Sequence, residues 1–264
     1  MMNDQKRLFF GFEVDSPWPE RLPKGRMLQI GQRHITIAFL GETSFEKVMG
    51  LMDELPKPSF KVGTAGTFDA CLFLPENHPR VVAWRGKPLG KDLLTPYSDA
   101  LTEFFRGTGY RIQERPFLNH TTLARSPFDK GEWEKAFCSL PYVTRHLHLY
   151  ESLGNLNYEP IWSHKLASPF EEFEHVADIA FRIHGETVKQ LYRHAQMALA
   201  FECPELVPYL DSEGEVGSLE EVIMKLNEIV THGDREIGTP FKAVSFHGDV
   251  KEEEILTWEM IVDV

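Results

Sequence analysis

Two tripeptides of one type, His34-Ile35-Thr36 and His120-Thr121-Thr122, lie far apart in the chain. Residues i and i+2 of a β-strand project to the same face, so each tripeptide would present an imidazole beside a hydroxyl. Opening a phosphodiester needs a base that takes a proton from water and an acid that protonates the departing oxygen. Two imidazoles suit these tasks near neutral pH, and two hydroxyls can donate to the charged phosphate oxygens. Either tripeptide alone is more often an ordinary half-exposed strand.

The residues around the tripeptides carry a family resemblance. His34 opens His-Ile-Thr-Ile-Ala-Phe-Leu-Gly, and His120 opens His-Thr-Thr-Leu-Ala-Arg. Together with residues 7–10, 79–84 and 115–117, these segments resemble the paired signatures of the two-histidine (2H) phosphoesterases. The resemblance is to the bacterial and archaeal RNA 2',3'-cyclic phosphodiesterases, first called 2'-5' RNA ligases, and it extends to about residue 166.

This resemblance implies a fold, a reaction and a set of roles. The fold would be α+β and bilobal, with antiparallel sheets around a central cleft. The reaction would be hydrolysis of RNA 2',3'-cyclic phosphate ends to 2'-phosphates, with no metal or other cofactor. His34 would protonate the departing O3', and His120 would activate water. The remaining matching positions, Thr36, Thr122 and Arg125, would hold the phosphate or substrate.

The residues alone do not divide acid and base between the two histidines. One departure from the family is Asn119-His120-Thr121, where the family more often has proline or another residue before histidine and an aliphatic residue in the middle.

Length and charge both indicate two domains. The 264 residues exceed the usual 100–200 per domain. Net charge is −12, but residues 1–168 contribute +2 and residues 169–264 contribute −14. We therefore predict a phosphoesterase domain at 1–168 and a second domain at 169–264. The acidic second domain would repel RNA phosphates and better suits a protein partner or a metal ion.

Three observations predict a cytoplasmic location. Residues 1–12 lack the pattern of a signal peptide, and no apolar run reaches the ~20 residues of a membrane helix. Cys71, Cys138 and Cys203 are odd in number and widely spaced, which predicts neither disulfides nor a zinc site.

The second domain has its own resemblance. Residues 173–200, together with 236–248 and 261–264, are similar to the start and end of archease, which assists the GTP-dependent RNA ligase acting on 2',3'-cyclic phosphate ends. The resemblance implies a smaller α+β domain, that ligase as a partner, and a divalent metal held by Asp178 and Asp263 with Lys242 as a functional residue. Archeases carry additional strands where this chain has only a short connection between residues 230 and 236, so we predict a shortened domain. The alternative is that both aspartates are surface charges.

Alternation and capping signals predict the order of elements. Before residue 168, strands are predicted at 8–14, 33–40, 60–68, 79–84, 143–151 and 158–166, and helices at 47–55, 91–108 and 130–139, with the second His-x-Thr strand between the last two helices. After it, strands are predicted at 173–182, 241–246 and 256–264, and helices at 187–201 and 219–230.

Three other features have plainer interpretations. His146 and His148 share a strand but lack a third metal ligand, so we interpret them as solvent-facing or cleft-lining residues. The segment 86–91 lacks the phosphate-loop pattern and is predicted to be a turn. Aromatic residues that could stack on a base, but are more often core, are Phe73, Trp84 and Phe117.

Three hypotheses about activity follow from these patterns. The first is a hydrolase of RNA ends, fused to a module that engages a ligase. We expect no membrane partner for it. The second is an adaptor that binds cyclic-phosphate ends and recruits the ligase without turnover. The third keeps the fold but changes the reaction to 2'-5' ligation or to hydrolysis of another cyclic phosphoester.

Overall fold

The computed structural model describes residues 5–112, 115–175 and 178–264. In these ranges the strands are β1 (Gln5–Asp15), β2 (Arg26–Met27), β3 (His34–Ser44), β4 (Ala65–Leu74), β5 (Val81–Pro88), β6 (His120–Arg125), β7 (Pro141–Gly154), β8 (Asn157–His164), β9 (Phe170–Phe173), β10 (Ile179–Gly185), β11 (Ala243–Glu252) and β12 (Leu256–Asp263). The α-helices are α1 (Phe45–Met49), α2 (Leu94–Gly107), α3 (Lys130–Ala136), α4 (Val188–Glu202) and α5 (Leu219–Ile237).

The first eight strands form one antiparallel sheet in the order β1-β3-β6-β5-β4-β7-β8, with β2 beside β6. Because β1 also pairs with β7, the path returns on itself and the sheet is barrel-like. Two of its seams are short: β3 meets β6 at Ile35 and Thr121, and β4 meets β7 over Ala65–Thr67. The antiparallel architecture predicted for residues 1–168 is therefore present. Its eight strands form one closed, barrel-like sheet.

The faces of this sheet follow from strand alternation. On β1, Phe10 and Phe12 are fully buried, and their rings lie 5.5 Å from Phe105 and 5.9 Å from Tyr97 of α2. One face thus packs on helices and holds the core, since burial of such apolar surface is the main stabilising term. The intervening residue Gly11 belongs to the opposite face, which carries the candidate site.

Residues after 168 build a second antiparallel sheet in the order β11-β12-β10-β9. Thr187 and Ser218 are the N-caps of helices α4 and α5. Their hydroxyls accept hydrogen bonds from the backbone N–H groups of Gln190 and Glu221. Both helices pack on this sheet around a core of their own, which includes Phe181. The predicted boundary at 168 falls in the connection between β8 and β9, and the division into two domains stays a prediction.

A small apolar cluster joins the two sheets. Met197 of α4 is fully buried against Ala65 of β4 and Val143 of β7. Nearby, a bridge pairs Val62 with Ala167 just before the second sheet begins. Among the described residues no helix has the length and apolar character needed to cross a membrane.

Several predicted element boundaries are wrong. The helix predicted at 47–55 is capped by Ser44 but ends at Met49. The strand predicted at 60–68 begins only at Ala65, because the preceding apolar residues are buried in the core without joining the ladder. The predicted turn at 86–91 starts too early, since β5 runs to Pro88.

The connection predicted after Val230 is also wrong. Helix α5 continues to Ile237, and Gly238 closes it in the left-handed conformation at φ 68°.

Candidate active site

The two His-x-Thr strands meet at the seam between β3 and β6. Ile35 lies directly opposite Thr121, and both side chains are fully buried. His34 and Thr36 flank Ile35, and His120 and Thr122 flank Thr121, so both tripeptides lie beside this seam. The two histidines are close enough for the charge of His120 to act on His34. The four side chains share one face of the sheet, opposite the core.

Both imidazoles are held by the same local device. Nδ1 of His34 lies 2.7 Å from the carbonyl oxygen of Gln32, and Nδ1 of His120 lies 2.7 Å from that of Leu118. A carbonyl can only accept, so each Nδ1 carries the hydrogen and donates it. Each neutral ring then has an unprotonated Nε2, the nitrogen that can accept a proton or, once protonated, donate one.

His34 sits in an aromatic enclosure and is only 7% exposed. Ring centroids of Phe9, Tyr150 and Tyr158 lie 4.8, 5.2 and 5.1 Å from its own. Burial lowers the pKa of His34 to about 4, and the bond to Gln32 opposes that shift. The charges of the neighbouring residues His120, Arg125 and His148 lower the pKa of His34 further.

His120 is half-buried, and its pKa is lowered as well. Burial lowers its pKa, the bond to Leu118 opposes the shift, and the charge of Arg115 adds to it. In the free protein both imidazoles are therefore neutral at pH 7, and His34 is the harder of the two to protonate.

The proposed phosphate contacts border the two rings. Thr36 and Thr122 are half-buried on the same face, and Arg125 is exposed at the end of β6. Nη2 of Arg125 lies 3.5 Å from the Tyr158 hydroxyl. Over residues 5–112, 115–175 and 178–264, no carboxylate forms a salt bridge with Arg125. Its guanidinium thus remains available to an anion.

Asn119, where the chain departs from the family, makes hydrogen bonds that fix the backbone just before β6 begins at His120. Its Nδ2 donates to the Tyr142 hydroxyl at 2.9 Å, and its carbonyl accepts from the N–H of Gly86 at 2.9 Å. A Cβ on Gly86 would lie 2.7 Å from the Asn119 Oδ1, so the close approach requires glycine there. The amide nitrogen and backbone carbonyl of Asn119 are thus partnered, whereas its buried Oδ1 accepts no hydrogen bond from the described residues.

A second group lies on the same face, and sequence reasoning missed one of its members, Glu13. Glu13 of β1 pairs with His34 across the ladder, and Gly11 pairs with both Thr36 and His148. Nδ1 of His148 lies 2.7 Å from the Ser163 hydroxyl, and its Nε2 lies 3.7 Å from Glu13. The nearby imidazole of His148, partly offset by burial, holds the pKa of the Glu13 carboxyl below its ordinary range.

His148 therefore lies on the candidate site face, as a cleft-lining interpretation requires. The sequence signal for Glu13 was the alternation of β1, which places residues 9, 11 and 13 on one face. That signal does not show which strands flank β1.

The aromatic residues considered for base stacking lie elsewhere. Trp84 is fully buried in the core. Phe73 packs against Phe128 at 5.9 Å, and Phe117 packs at the edge of the same core. None of the three adjoins His34.

The predicted residues of the second domain are brought together at one end of its sheet. Ile179 pairs with Val262, so Asp178 just precedes one strand and Asp263 ends the other at this end of the sheet. Nζ of Lys242 lies 3.9 Å from Oδ1 of Asp263. Asp178 faces His175 at 3.6 Å.

This donor set is small for a divalent cation. Hard cations take six or more oxygen ligands, whereas one of these two carboxylates is paired with an ammonium group. In the described part of the chain, no three histidine, cysteine, aspartate or glutamate residues converge as a metal-binding group. The residues here fit a salt-bridged acidic pair better than a metal centre.

Comparison with known proteins gives a likeness of fold only. No protein-family model matches the chain, and no curated protein matches it. Among solved structures, E. coli LigT complexed with 3'-AMP is 24% identical at a TM-score of 0.45, and the match covers 61% of this chain and 98% of that one. A Thermus thermophilus protein, TT0787, is 17% identical at a TM-score of 0.46, covering 61% and 98%. A protein described as a phosphoesterase is 24% identical at a TM-score of 0.44, covering 62% and 99%. The chain thus resembles LigT and phosphoesterase structures over about three fifths of its length, and the archease-like resemblance has no counterpart among these matches.

Proposed function

We propose that the protein hydrolyses RNA 2',3'-cyclic phosphate ends to 2'-phosphates. The observation that carries this proposal is the meeting of the two tripeptides at the β3–β6 seam, where Ile35 pairs with Thr121 and each is flanked by a histidine and a threonine. Both Nδ1 atoms are committed to backbone carbonyls, so two Nε2 atoms remain for proton transfer. One phosphate between them would meet an imidazole and a hydroxyl from each strand.

The reaction follows from that arrangement. His120 Nε2 takes a proton from water as the water oxygen bonds to phosphorus. The bond from phosphorus to O3' breaks, and protonated His34 Nε2 delivers a proton to O3'. The product keeps the phosphate on O2'. This assignment of acid and base follows the family resemblance, because the two tripeptides are equivalent in the register.

Charge on the phosphate oxygens requires fixed donors. The hydroxyls of Thr36 and Thr122 and the guanidinium of Arg125 supply them from the edge of the site. An anionic phosphate also favours the imidazolium form and raises the pKa of both histidines. Substrate binding would thereby protonate His34, which burial keeps neutral in the free protein.

The test is turnover of an oligonucleotide ending in a 2',3'-cyclic phosphate, with EDTA present. We expect a 2'-phosphate product that a 3'-phosphate-specific phosphatase leaves intact. Binding without turnover would favour the adaptor hypothesis. Joining to a 5'-hydroxyl oligonucleotide, or faster hydrolysis of a mononucleotide cyclic phosphate, would favour the altered-reaction hypothesis.

The pH dependence should reflect the lowered pKa values of the free protein. The profile of kcat/KM reports free-enzyme groups, and catalysis needs one histidine protonated and the other neutral. Both pKa values lie below 6.5, so kcat/KM should peak below pH 6.5 and fall about 100-fold from pH 6.5 to 8.5. The kcat profile should be displaced to higher pH, because bound phosphate raises both pKa values. A kcat/KM that rises up to pH 8 would contradict this assignment.

For the second domain we propose assistance to a GTP-dependent RNA ligase acting on the same ends. Support comes from the pairing of Ile179 with Val262, which brings the neighbouring Asp178 and Asp263 to one end of the sheet, with Lys242 beside Asp263. Adding the full chain with His34→Asn, which spares the cyclic phosphate, should stimulate such a ligase. The matched control adds Asp178→Asn and Asp263→Asn to that chain. Equal ligation with and without either protein would count against the partnership.

A further inference from the structure

Side chains of the β7–β8 hairpin contact both His-x-Thr strands. Its turn contains Asn155 and Leu156, both in the left-handed region at φ 50° and 63°. Just after the turn, the side-chain amide of Gln32 donates to Oδ1 of Asn157 at 2.7 Å and to the carbonyl of Tyr158 at 3.4 Å. The backbone carbonyl of Gln32 also receives the Nδ1 hydrogen of His34. One residue therefore fixes both the candidate acid and the hairpin.

Tyr158 is the hairpin side chain that reaches both strands. Its ring meets His34 of β3 edge to face, with centroids 5.1 Å apart and planes at 82°. It meets Phe9 in the same way, at 5.4 Å and 88°. Its hydroxyl lies 3.5 Å from Nη2 of Arg125, which belongs to β6. A single rigid side chain thus contacts a proposed proton donor and a proposed phosphate ligand.

We propose that Tyr158 is a positioning residue that acts through two parts of its side chain. The ring closes the enclosure around His34, and the hydroxyl restrains Arg125 toward the phosphate. This inference rests on the proposed function for its kinetic consequences. Its effect on His34 in the free protein is independent of turnover.

The ring and the hydroxyl have separable tasks. A long arginine side chain loses rotamer freedom when it binds a ligand, and a restraint made beforehand lowers that cost. At 3.5 Å the hydroxyl is at the limit of a hydrogen bond, so it can guide Arg125 while leaving its other donors free. The ring does a different task, because it excludes water from an imidazole that is only 7% exposed.

Two variants separate these tasks. Tyr158→Phe removes only the hydroxyl, and we expect KM to rise about three- to tenfold with kcat and its pH profile nearly unchanged. Tyr158→Leu removes the ring as well, and we expect kcat to fall about tenfold or more because His34 is no longer held in place. Tyr209→Phe, which removes a hydroxyl in the second domain, is the matched control and should match the wild type.

A proton NMR titration of His34 in the substrate-free full chain supplies a readout that does not depend on activity. Among the described residues, the ionisable groups facing His34 are Glu13 from β1, His120 and Arg125 from β6, His148 and Tyr150 from β7, and Tyr158 itself. Tyr158→Leu leaves the other five in place, so an upward move of the His34 midpoint would report the loss of the ring. Tyr158→Phe should leave that midpoint unchanged.

The outcomes distinguish the two proposals. An unchanged His34 midpoint in Tyr158→Leu, together with wild-type KM in Tyr158→Phe, would overturn the role of Tyr158. No turnover of cyclic phosphate by the wild type, with the midpoint shift still present, would overturn the proposed function and leave the enclosure established. Circular dichroism identifies a misfolded leucine variant, and in that case the KM of Tyr158→Phe decides.

Discussion

Replacing His34 or His120 with asparagine is expected to lower kcat on a 2',3'-cyclic-phosphate oligonucleotide by roughly 10²- to 10⁴-fold. Each Nδ1 donates to the carbonyl of the residue two positions earlier. An asparagine amide can keep that hydrogen bond while it removes Nε2, so the change isolates proton transfer from folding. The measurement is single-turnover release of the 2'-phosphate product.

The double variant and a control sharpen this expectation. Because both imidazoles serve one displacement, the double variant should be little worse than either single variant. His78→Asn alters an exposed histidine outside the site and should retain wild-type activity. More than a tenth of wild-type activity in either single variant would count against an acid–base role for that histidine.

The face that carries the candidate site could be predicted from the sequence. A strand alternates strictly, so the buried Ile35 and the shared face of His34 and Thr36 followed from the tripeptide alone. The meeting of β3 with β6 required more, because a repeat of similar strands does not specify which of them pair. The family resemblance implied a shared cleft, and the pairing of Ile35 with Thr121 then located the seam.

The enclosure around His34 could not be predicted from local patterns. Phe9, Tyr150 and Tyr158 come from three strands that adjoin only because β1 pairs with β7 and β7 with β8. Such contacts depend on closure of the sheet, which is a property of the whole chain. The lowered pKa of His34 depends on that closure as well, since burial is its first cause.

The wrong boundaries have a related cause. Phe60 and Val62 have the alternation of a strand and are buried, but Val62 joins only a single bridge to Ala167. The apolar alternation in this segment therefore indicates that the residues are buried, but it does not show that they pair with a neighbouring strand. Helix α5 was predicted to stop at Val230, although Gly238 supplies the stronger stop signal further along the chain.

Replacing one large residue in each of the two cores is expected to destabilise the two parts of the chain separately, because each sheet packs on its own core. Trp133 of α3 is fully buried, and its Nε1 donates to the Lys24 carbonyl at 3.2 Å. Trp133→Ala should cost about 3–5 kcal/mol, which lowers the midpoint of thermal inactivation of the proposed phosphodiesterase activity by about 10 °C. Phe181 of β10 is 1% exposed in the other core, and Phe181→Ala should cost a similar amount there.

The contrast between these two variants tests the division at residue 168. Between the two cores, the described residues show a small apolar cluster of Ala65, Val143 and Met197 with a few partly buried residues packed against it. If the division is real, Phe181→Ala lowers a separate calorimetric transition and leaves the inactivation midpoint within about 2 °C of the wild type. If both variants lower one shared transition equally, the two sheets unfold as a single cooperative unit. In that case the C-terminal sheet would act as a structural support of the candidate active site through α4, rather than as an independent module.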